Sequence, residues 1–400
     1  MITKISTHIA LALGSFFLFE QNSFAINGSF KTYFSETKNS GEDSYNSTLS
    51  SIFRPKYTYA INDRYTFYGA YALSLDWEKK SPFLTTQQTP KKNYRAVDLE
   101  RKITSSDRIK SRTLSLNQNL DRFYINYSQG AFNLNVGRAP IAFGSSKIIN
   151  PTDVLTPVTY ATLDKEERVG VDTVRMNYSL GTLSLLDVGY VFGHKLHFSD
   201  SAVFARLKTN LFATDSSIMA MDFQNNLMLG LDFARSVGDA SAWFESAYIV
   251  PKYFKKSSSN NLENYYRATI GTDYKLTESI YSYIEYHYNG AGNSDAAKYI
   301  FSQSKTAYTE GGAYLYGVHY IAPGMTYEIS SLWKLTAQFL FNLNDASIFN
   351  NLSAEFNMAQ DMFIDLGGYI PFGKETRSFQ QRSEFGSYPK SVYTSFRMYF

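Results

Sequence analysis

The feature of this sequence that most restricts its fold is an alternation of apolar and polar residues that recurs along the chain. In residues 227–233 the odd positions hold Leu or Phe, whereas the even positions include Gly230 and Asp232. Residues 333–341 repeat the pattern, with Lys334 on the polar face. Because successive side chains of a strand point to opposite faces, a period of two predicts β-strands and does not fit a helix.

The alternating windows have the length and composition of strands that cross a bilayer. Several run for about ten residues or more, whereas strands of soluble sheets average about five or six. Tyr, Phe and Trp make up 16% of the 400 residues and often end the apolar face. The opposite face carries charged residues that a packed core would not accept unpaired. Lipid outside and water inside a closed barrel would satisfy both faces.

The sequence therefore predicts an all-β fold, a transmembrane antiparallel up-and-down β-barrel of about 18 strands with both termini on the side of the short turns. The predicted strands are residues 26–34, 48–60, 64–77, 112–128, 131–138, 171–178, 183–193, 201–213, 216–224, 227–236, 240–250, 264–275, 279–288, 313–329, 332–342, 347–356, 361–370 and 390–400. A barrel of roughly 16 or 14 strands remains open, because the links at 194–200, 224–226 and 343–346 are ambiguous.

The predicted links fall into two classes. Short links rich in Gly, Asn, Asp and Ser supply the backbone angles of tight turns. Longer polar links alternate with them, at residues 35–46, 78–111, 140–170, 251–263, 289–312 and 372–389. Short turns at one end and long loops at the other are typical of barrels of the bacterial outer membrane.

The first 25 residues have the organisation of a secretory signal. Lys4 precedes an apolar run at 9–19, and Ser23 and Ala25 place small residues before a cleavage site. The run is shorter than the roughly 20 residues of a transmembrane helix. We expect a signal peptide at 1–25, cleaved as the chain crosses the inner membrane, and one outer-membrane β-barrel domain at 26–400. The absence of Cys excludes disulfides and thiol chemistry.

The last strand and one internal block carry a family resemblance. Val392, Phe396, Met398 and Phe400 share a face opposite Arg397. A terminal Phe that closes an alternating strand resembles the assembly signal of bacterial outer-membrane barrels, and the whole predicted mature chain resembles porins in pattern.

The internal block consists of Asn-Leu-Asp-Arg-Phe-Tyr at 119–124, Gly-Arg-Ala-Pro-Ile-Ala-Phe-Gly at 137–144 and Asn-Pro-Thr-Asp at 150–153. It resembles a block that recurs in uncharacterised porin-like outer-membrane proteins, which often have Trp where Phe143 stands here. The resemblance implies a barrel with a pore and does not name a solute.

The link at 140–170 differs from the other long links because it is moderately apolar. Pro140, Pro151, Pro157 and Gly144 prevent it from continuing a strand. A loop of this length in a compact fold is usually functional or disordered. We hypothesise that it folds into the barrel and narrows the pore. An ordered cap on the surface is the alternative.

Charged residues on the polar faces and in this link are the candidate pore-lining residues. They are Arg122, Arg138, Lys147, Asp153, Arg175, Arg206, Lys208, Asp232, Glu245 and Lys334. Basic and acidic groups that face each other across a constriction tune ion selectivity. For Lys165, Glu166 and Glu167, the alternative interpretation is that the side chains form salt bridges at the rim of the barrel or are simply solvated. With 39 basic and 36 acidic residues, the composition does not choose between anions and cations.

The sequence contains no enzyme motif that would support catalysis as a second class of function. The chain has neither a Gly-x-Ser-x-Gly elbow nor a His-Glu-x-x-His motif. His194 and His197 are closely spaced, but Asp200 is the only further ligand nearby. We therefore predict no catalytic residue, no metal and no cofactor.

The favoured function is passive diffusion of small hydrophilic solutes or ions. A non-transporting barrel that acts as an adhesin or surface receptor is the first alternative, since the loops at 78–111 and 289–312 are polar. An outer-membrane hydrolase is the second alternative. The expected partners are outer-membrane lipid and lipopolysaccharide, whose phosphates suit the basic loop at 78–111. A homotrimer is compatible with the sequence, and the charge balance gives no sign of nucleic-acid binding.

Overall fold

The structure of the protein, a computed structural model, describes residues 26–40, 44–79, 94–106, 112–157, 166–254, 262–377 and 380–400. The predicted signal peptide at 1–25 lies outside the described residues. The strands are β1 (Ile26–Lys38), β2 (Tyr45–Ala60), β3 (Tyr65–Lys79), β4 (Arg101–Ser106), β5 (Arg112–Gln129), β6 (Phe132–Ala139), β7 (Val171–Ser179), β8 (Ser184–Val191), β9 (Ala202–Leu211), β10 (Thr214–Phe223), β11 (Asn226–Val237), β12 (Ala240–Val250), β13 (Tyr265–Thr277), β14 (Ile280–Asn289), β15 (His319–Glu328), β16 (Trp333–Asn342), β17 (Ser347–Ala359), β18 (Met362–Phe372) and β19 (Lys390–Tyr399).

Eighteen of these strands form a closed antiparallel barrel, which confirms the predicted fold and strand number and excludes the smaller barrels. Successive strands of the ring pair with each other, β3 pairs directly with β5, and β1 pairs with β19 to close the ring. The Gly28 N–H donates to the Phe400 carbonyl at 2.7 Å, so the last residue contributes to the closure. Closure leaves no ring strand with an open edge, which a bilayer requires.

The additional strand, β4, lies in the segment 78–111, for which the sequence predicts a loop. It pairs with the first half of β5, from Arg101 opposite Gln118 to Ser106 opposite Leu114. β6 is short and pairs with β5 only from Phe123 onward. β4 therefore supplies hydrogen bonds to a stretch of β5 that β6 does not reach.

The structure settles one link that the sequence leaves ambiguous and shortens one predicted strand. The link at 224–225 is a two-residue turn on the side of the long loops, and Gln224 and Asn225 both have positive φ, as hairpin turns of this kind require. The strand predicted at 313–329 begins only at His319, because the preceding residues fold into two one-turn helices and the coil after them. The helices are α1 (Tyr299–Ser302) and α2 (Thr306–Thr309).

The two faces of the wall have opposite character. On β11, Leu229 and Leu231 are exposed on the outer face, whereas Gly230 lies against Thr152 on the inner face. The same alternation places charged side chains inside, including Asp187 and Glu285, both almost fully buried. No helix among the described residues is long and apolar enough to cross a membrane.

Candidate pore constriction

The segment 140–157 is held against the inner face of β12 by Glu245. This carboxylate accepts hydrogen bonds from the Thr152 backbone N–H at 2.8 Å, the Thr152 hydroxyl at 2.7 Å and the Ser146 N–H at 3.1 Å. The side chain of Asn150 adds a fourth bond at 3.2 Å. Glu245 has no exposed surface, so it binds the segment and does not face open water.

Glu285 of β14 binds the same segment at the neighbouring residues. It accepts bonds from the backbone N–H groups of Lys147 at 2.5 Å and Ile148 at 3.0 Å. The indole N–H of Trp243 donates to the same carboxylate at 2.9 Å. Two buried carboxylates thus satisfy a run of loop N–H groups that would otherwise lack partners.

Gly144 is the residue that allows this close approach. Its φ is +88°, and a Cβ added there would collide with both carboxylate oxygens of Glu245. Only glycine combines the left-handed backbone with the missing side chain at this position.

The other end of the link reaches the wall around β1. Lys31 of β1 donates to Glu166 at 2.7 Å, the Tyr399 hydroxyl donates at 2.6 Å, and Arg397 forms a further ion pair with the same carboxylate. Burial opposes ionisation of Glu166, but the bonds from Lys31 and Tyr399 outweigh it and lower its pKa to about 2. Glu167 pairs with two bases of β2, Lys56 and Arg54.

The described parts of the link, residues 140–157 and 166–170, thus contact walls on two sides of the ring. β12 lies near the midpoint of the ring counted from β1. The contacting residues of both walls lie on the face opposite the exposed apolar residues, such as Leu229 and Ile270. Both described parts of the link therefore contact the inner face of the wall. Lys165 lies outside the described residues.

Arg122 and Arg138 lie near the point where the link returns to the wall. Arg122 donates to Asp121 at 2.6 Å and to the Arg168 carbonyl at 2.5 Å. Arg138 forms a forked pair with Asp172, at 2.6 and 2.9 Å. Both guanidinium groups therefore brace the backbone around β5 to β7.

Arg175 and Arg206 share one buried carboxylate, that of Asp187, each at 2.7 Å. The guanidinium of Arg206 also lies 5.0 Å from the ring centre of Phe143. Asp187 is not among the site residues that the sequence predicts. Its place on the polar face of β8 is the only signal in the sequence that could have indicated it.

The remaining candidates divide between the link and the open wall. Asp153 is buried and pairs with Arg168, and burial raises its pKa despite that pairing. Asp232 accepts a bond from Ser145. Among the described residues, Lys208 is exposed without an ion-pair partner, and Lys334 pairs with Glu355 while 41% of its side chain stays exposed.

Residues 290–318 and described residues of the segment 373–389 pack against the segment 140–157 on the side of the long loops. Val154 packs in one buried cluster with Tyr299, Tyr308 and Tyr316. Glu384 has no exposed surface and accepts bonds from the Tyr316 N–H at 3.0 Å and the Asn342 amide at 2.8 Å. Burial raises the pKa of Glu384 to about 7.

Comparisons with known proteins support the fold. No family model and no curated protein matches the chain. Among solved structures, OccK7 (OpdD) of Pseudomonas aeruginosa aligns with a TM-score of 0.58 and 10% identity, over 95% of this chain and 99% of its own. OccD3 (OpdP) of the same organism aligns with a TM-score of 0.53 and 8% identity, over 94% of this chain and 91% of its own. At this identity the likeness is one of fold, a porin-like β-barrel.

Proposed function

We propose that the protein is an outer-membrane channel through which small hydrophilic solutes or ions diffuse passively. The lipid-compatible outer face and the charged inner face support this placement, as does the porin-like barrel. A barrel of about 18 strands is too wide for its own side chains to fill, so water occupies the remaining interior. The mechanism needs no covalent chemistry.

The observation that carries the proposal is that two described parts of the link, residues 140–157 and 166–170, are held by walls on two sides of the ring. Glu245 and Glu285 hold residues 146–152, and Lys31 and Arg397 hold Glu166. Such a link narrows the water-filled interior to a gap lined by fixed charges of both signs. These charges select among solutes as they lose some of their hydration.

Planar-bilayer recording tests the proposal. We expect the purified protein to give stepwise conductance, with a reversal potential under a salt gradient that reports its ion preference. Liposomes containing the protein should swell in small sugars and not in large ones. Absence of both signals from correctly folded protein, judged by heat-modifiable gel mobility, would overturn the proposal.

A surface receptor is the second candidate, because the loops at the mouth pack into a buried cluster with Val154 and Leu155. A barrel sealed by that cluster would conduct nothing and would present residues 290–318 to its surroundings. Liposomes that fail to swell, together with binding of the protein to cells or to lipopolysaccharide, would favour this candidate. A homotrimer stays a prediction that cross-linking in the membrane would test.

A further inference from the structure

The ammonium group of Lys147 sits in a pocket formed by three side chains of the wall. Its Nζ lies 2.7 Å from Asp273 Oδ2. The same atom lies 5.1 Å from the ring centre of Trp243 and 4.9 Å from that of Tyr281. Lys147 also donates to the Tyr281 hydroxyl, so its ammonium lies at the edge of that ring and faces only the indole of Trp243. A carboxylate combined with an aromatic face is chemistry that proteins use to bind organic ammonium ions.

The pocket is built by strands β12 to β14 and does not depend on the lysine. Asp273 accepts the Ser241 backbone N–H at 3.1 Å and the Tyr281 hydroxyl at 2.6 Å. The indole N–H of Trp243 is fixed by Glu285. Gly271 lies behind the indole, and a Cβ added there would collide with it, so the ring lies flat against the wall.

Lys147, in contrast, belongs to the link and not to the wall. Its side chain remains 36% exposed, so water in the channel reaches it. A lysine has a flexible stem of four carbons that can release its ammonium group without movement of the backbone. The lysine ammonium can therefore leave the pocket, whereas Asp273, Trp243 and Tyr281 stay in place on the wall.

We propose that Asp273, Trp243 and Tyr281 form a binding site for organic ammonium ions, which Lys147 occupies as a tethered competitor. The inference rests on the proposed channel function and adds a class of solute, small primary and quaternary amines. Such a solute binds only when the lysine side chain has moved aside. Lys147 therefore weakens the retention of cationic amines at the constriction.

The test uses n-butylammonium as a channel blocker in planar bilayers. We expect Lys147→Met to lower the concentration for half-block by about tenfold relative to wild type, which corresponds to about 1.4 kcal/mol. Lys208→Met is the matched control, because it removes one positive charge from an exposed inner position outside the pocket. Its sensitivity to n-butylammonium should change less than twofold.

The double variant Lys147→Met with Asp273→Asn should lose the gained sensitivity, since it retains the rings without the carboxylate. Equal block of Lys147→Met and Lys208→Met, or block that survives the Asp273→Asn change, would overturn the inference. Lys147→Gln replaces Lys147→Met in the comparison if the latter does not assemble. A wild-type protein without conductance would refute the channel itself, whereas normal conductance with unchanged block refutes only the ammonium site.

Discussion

The two walls that hold the link do so by different chemistry. On β12 and β14, buried Glu245 and Glu285 accept hydrogen bonds mainly from backbone N–H groups. On β1 and β19, Lys31 and Arg397 form ion pairs with Glu166, whose side chain is 40% exposed. Buried bonds to a charged acceptor are strong and insensitive to salt. A carboxylate that remains partly exposed to water, as that of Glu166 does, is screened more by salt.

This difference assigns separate roles to the two attachments. The backbone of residues 146–152 is fixed in position by two buried carboxylates of the wall. The acidic residues at 166–167 meet several bases, so the loss of one contact leaves others in place. In the channel that we propose, the first attachment would fix the backbone of residues 146–152 and the second would hold residues 166–167 less rigidly.

Removal of Glu245 should have the largest effect. Glu245→Leu leaves the N–H groups of Ser146 and Thr152 buried without an acceptor, at about 1–3 kcal/mol each. We expect the segment to leave the wall, the single-channel conductance to rise and the temperature of heat-modifiable unfolding to fall. Asp76→Leu is the control, because Asp76 is a wall carboxylate bonded to Ser50 and Asn117 and to no described residue of the link. Equal conductance in the two variants would contradict the assigned role of Glu245.

Gly144→Ala should act in the same direction with a smaller effect. The new Cβ would collide with the Glu245 carboxylate, and the left-handed backbone adds about 1–2 kcal/mol for alanine. Gly130→Ala separates these two causes, because Gly130 also has a positive φ but has no atom within 4 Å of the position that a Cβ would take. A rise in conductance for Gly144→Ala alone would assign the effect to the contact with Glu245. Identical behaviour of the two variants would leave backbone strain as the whole cause.

Prediction from the sequence succeeds where the signal is local. Alternation predicts the faces of β11 and the number of ring strands, because a strand's faces follow from its own residues. It cannot assign the role of Glu245, which lies 93 residues from its partner Thr152. An inward charge on a strand meets either water or a folded loop, and period-two patterning is the same in both cases. β4 escapes prediction because six residues within a charged segment give too short a pattern.

Glu384, a buried carboxylate among the long loops, gives a prediction that depends on pH. Burial raises the pKa of Glu384 to about 7 from an ordinary value of 4.5. Stabilisation of the folded mouth by neutral Glu384 is therefore complete below pH 4.5 and is lost as the pH rises through about 7. Hydrogen exchange at the Tyr316 amide, which donates to Glu384, should accelerate over this window beyond the intrinsic pH effect. Glu384→Gln should abolish this additional acceleration of exchange. If the acceleration persists in the variant, another titrating group causes it.

Glu166→Gln should have the smallest effect and the opposite pH dependence. Because the pKa of Glu166 is lowered to about 2 from 4.5, its contribution is present above pH 4.5 and disappears as the pH falls toward 2. Because the Glu166 carboxylate is partly exposed and Glu167 keeps its own pairs with Lys56 and Arg54, we expect only a slight increase in open-channel noise at neutral pH. About 1 M salt should erase the difference from wild type, since the screening length falls to about 3 Å. The effect of Glu245→Leu on conductance should persist at the same salt concentration. If both variants responded to salt alike, the two attachments would depend on the same kind of interaction.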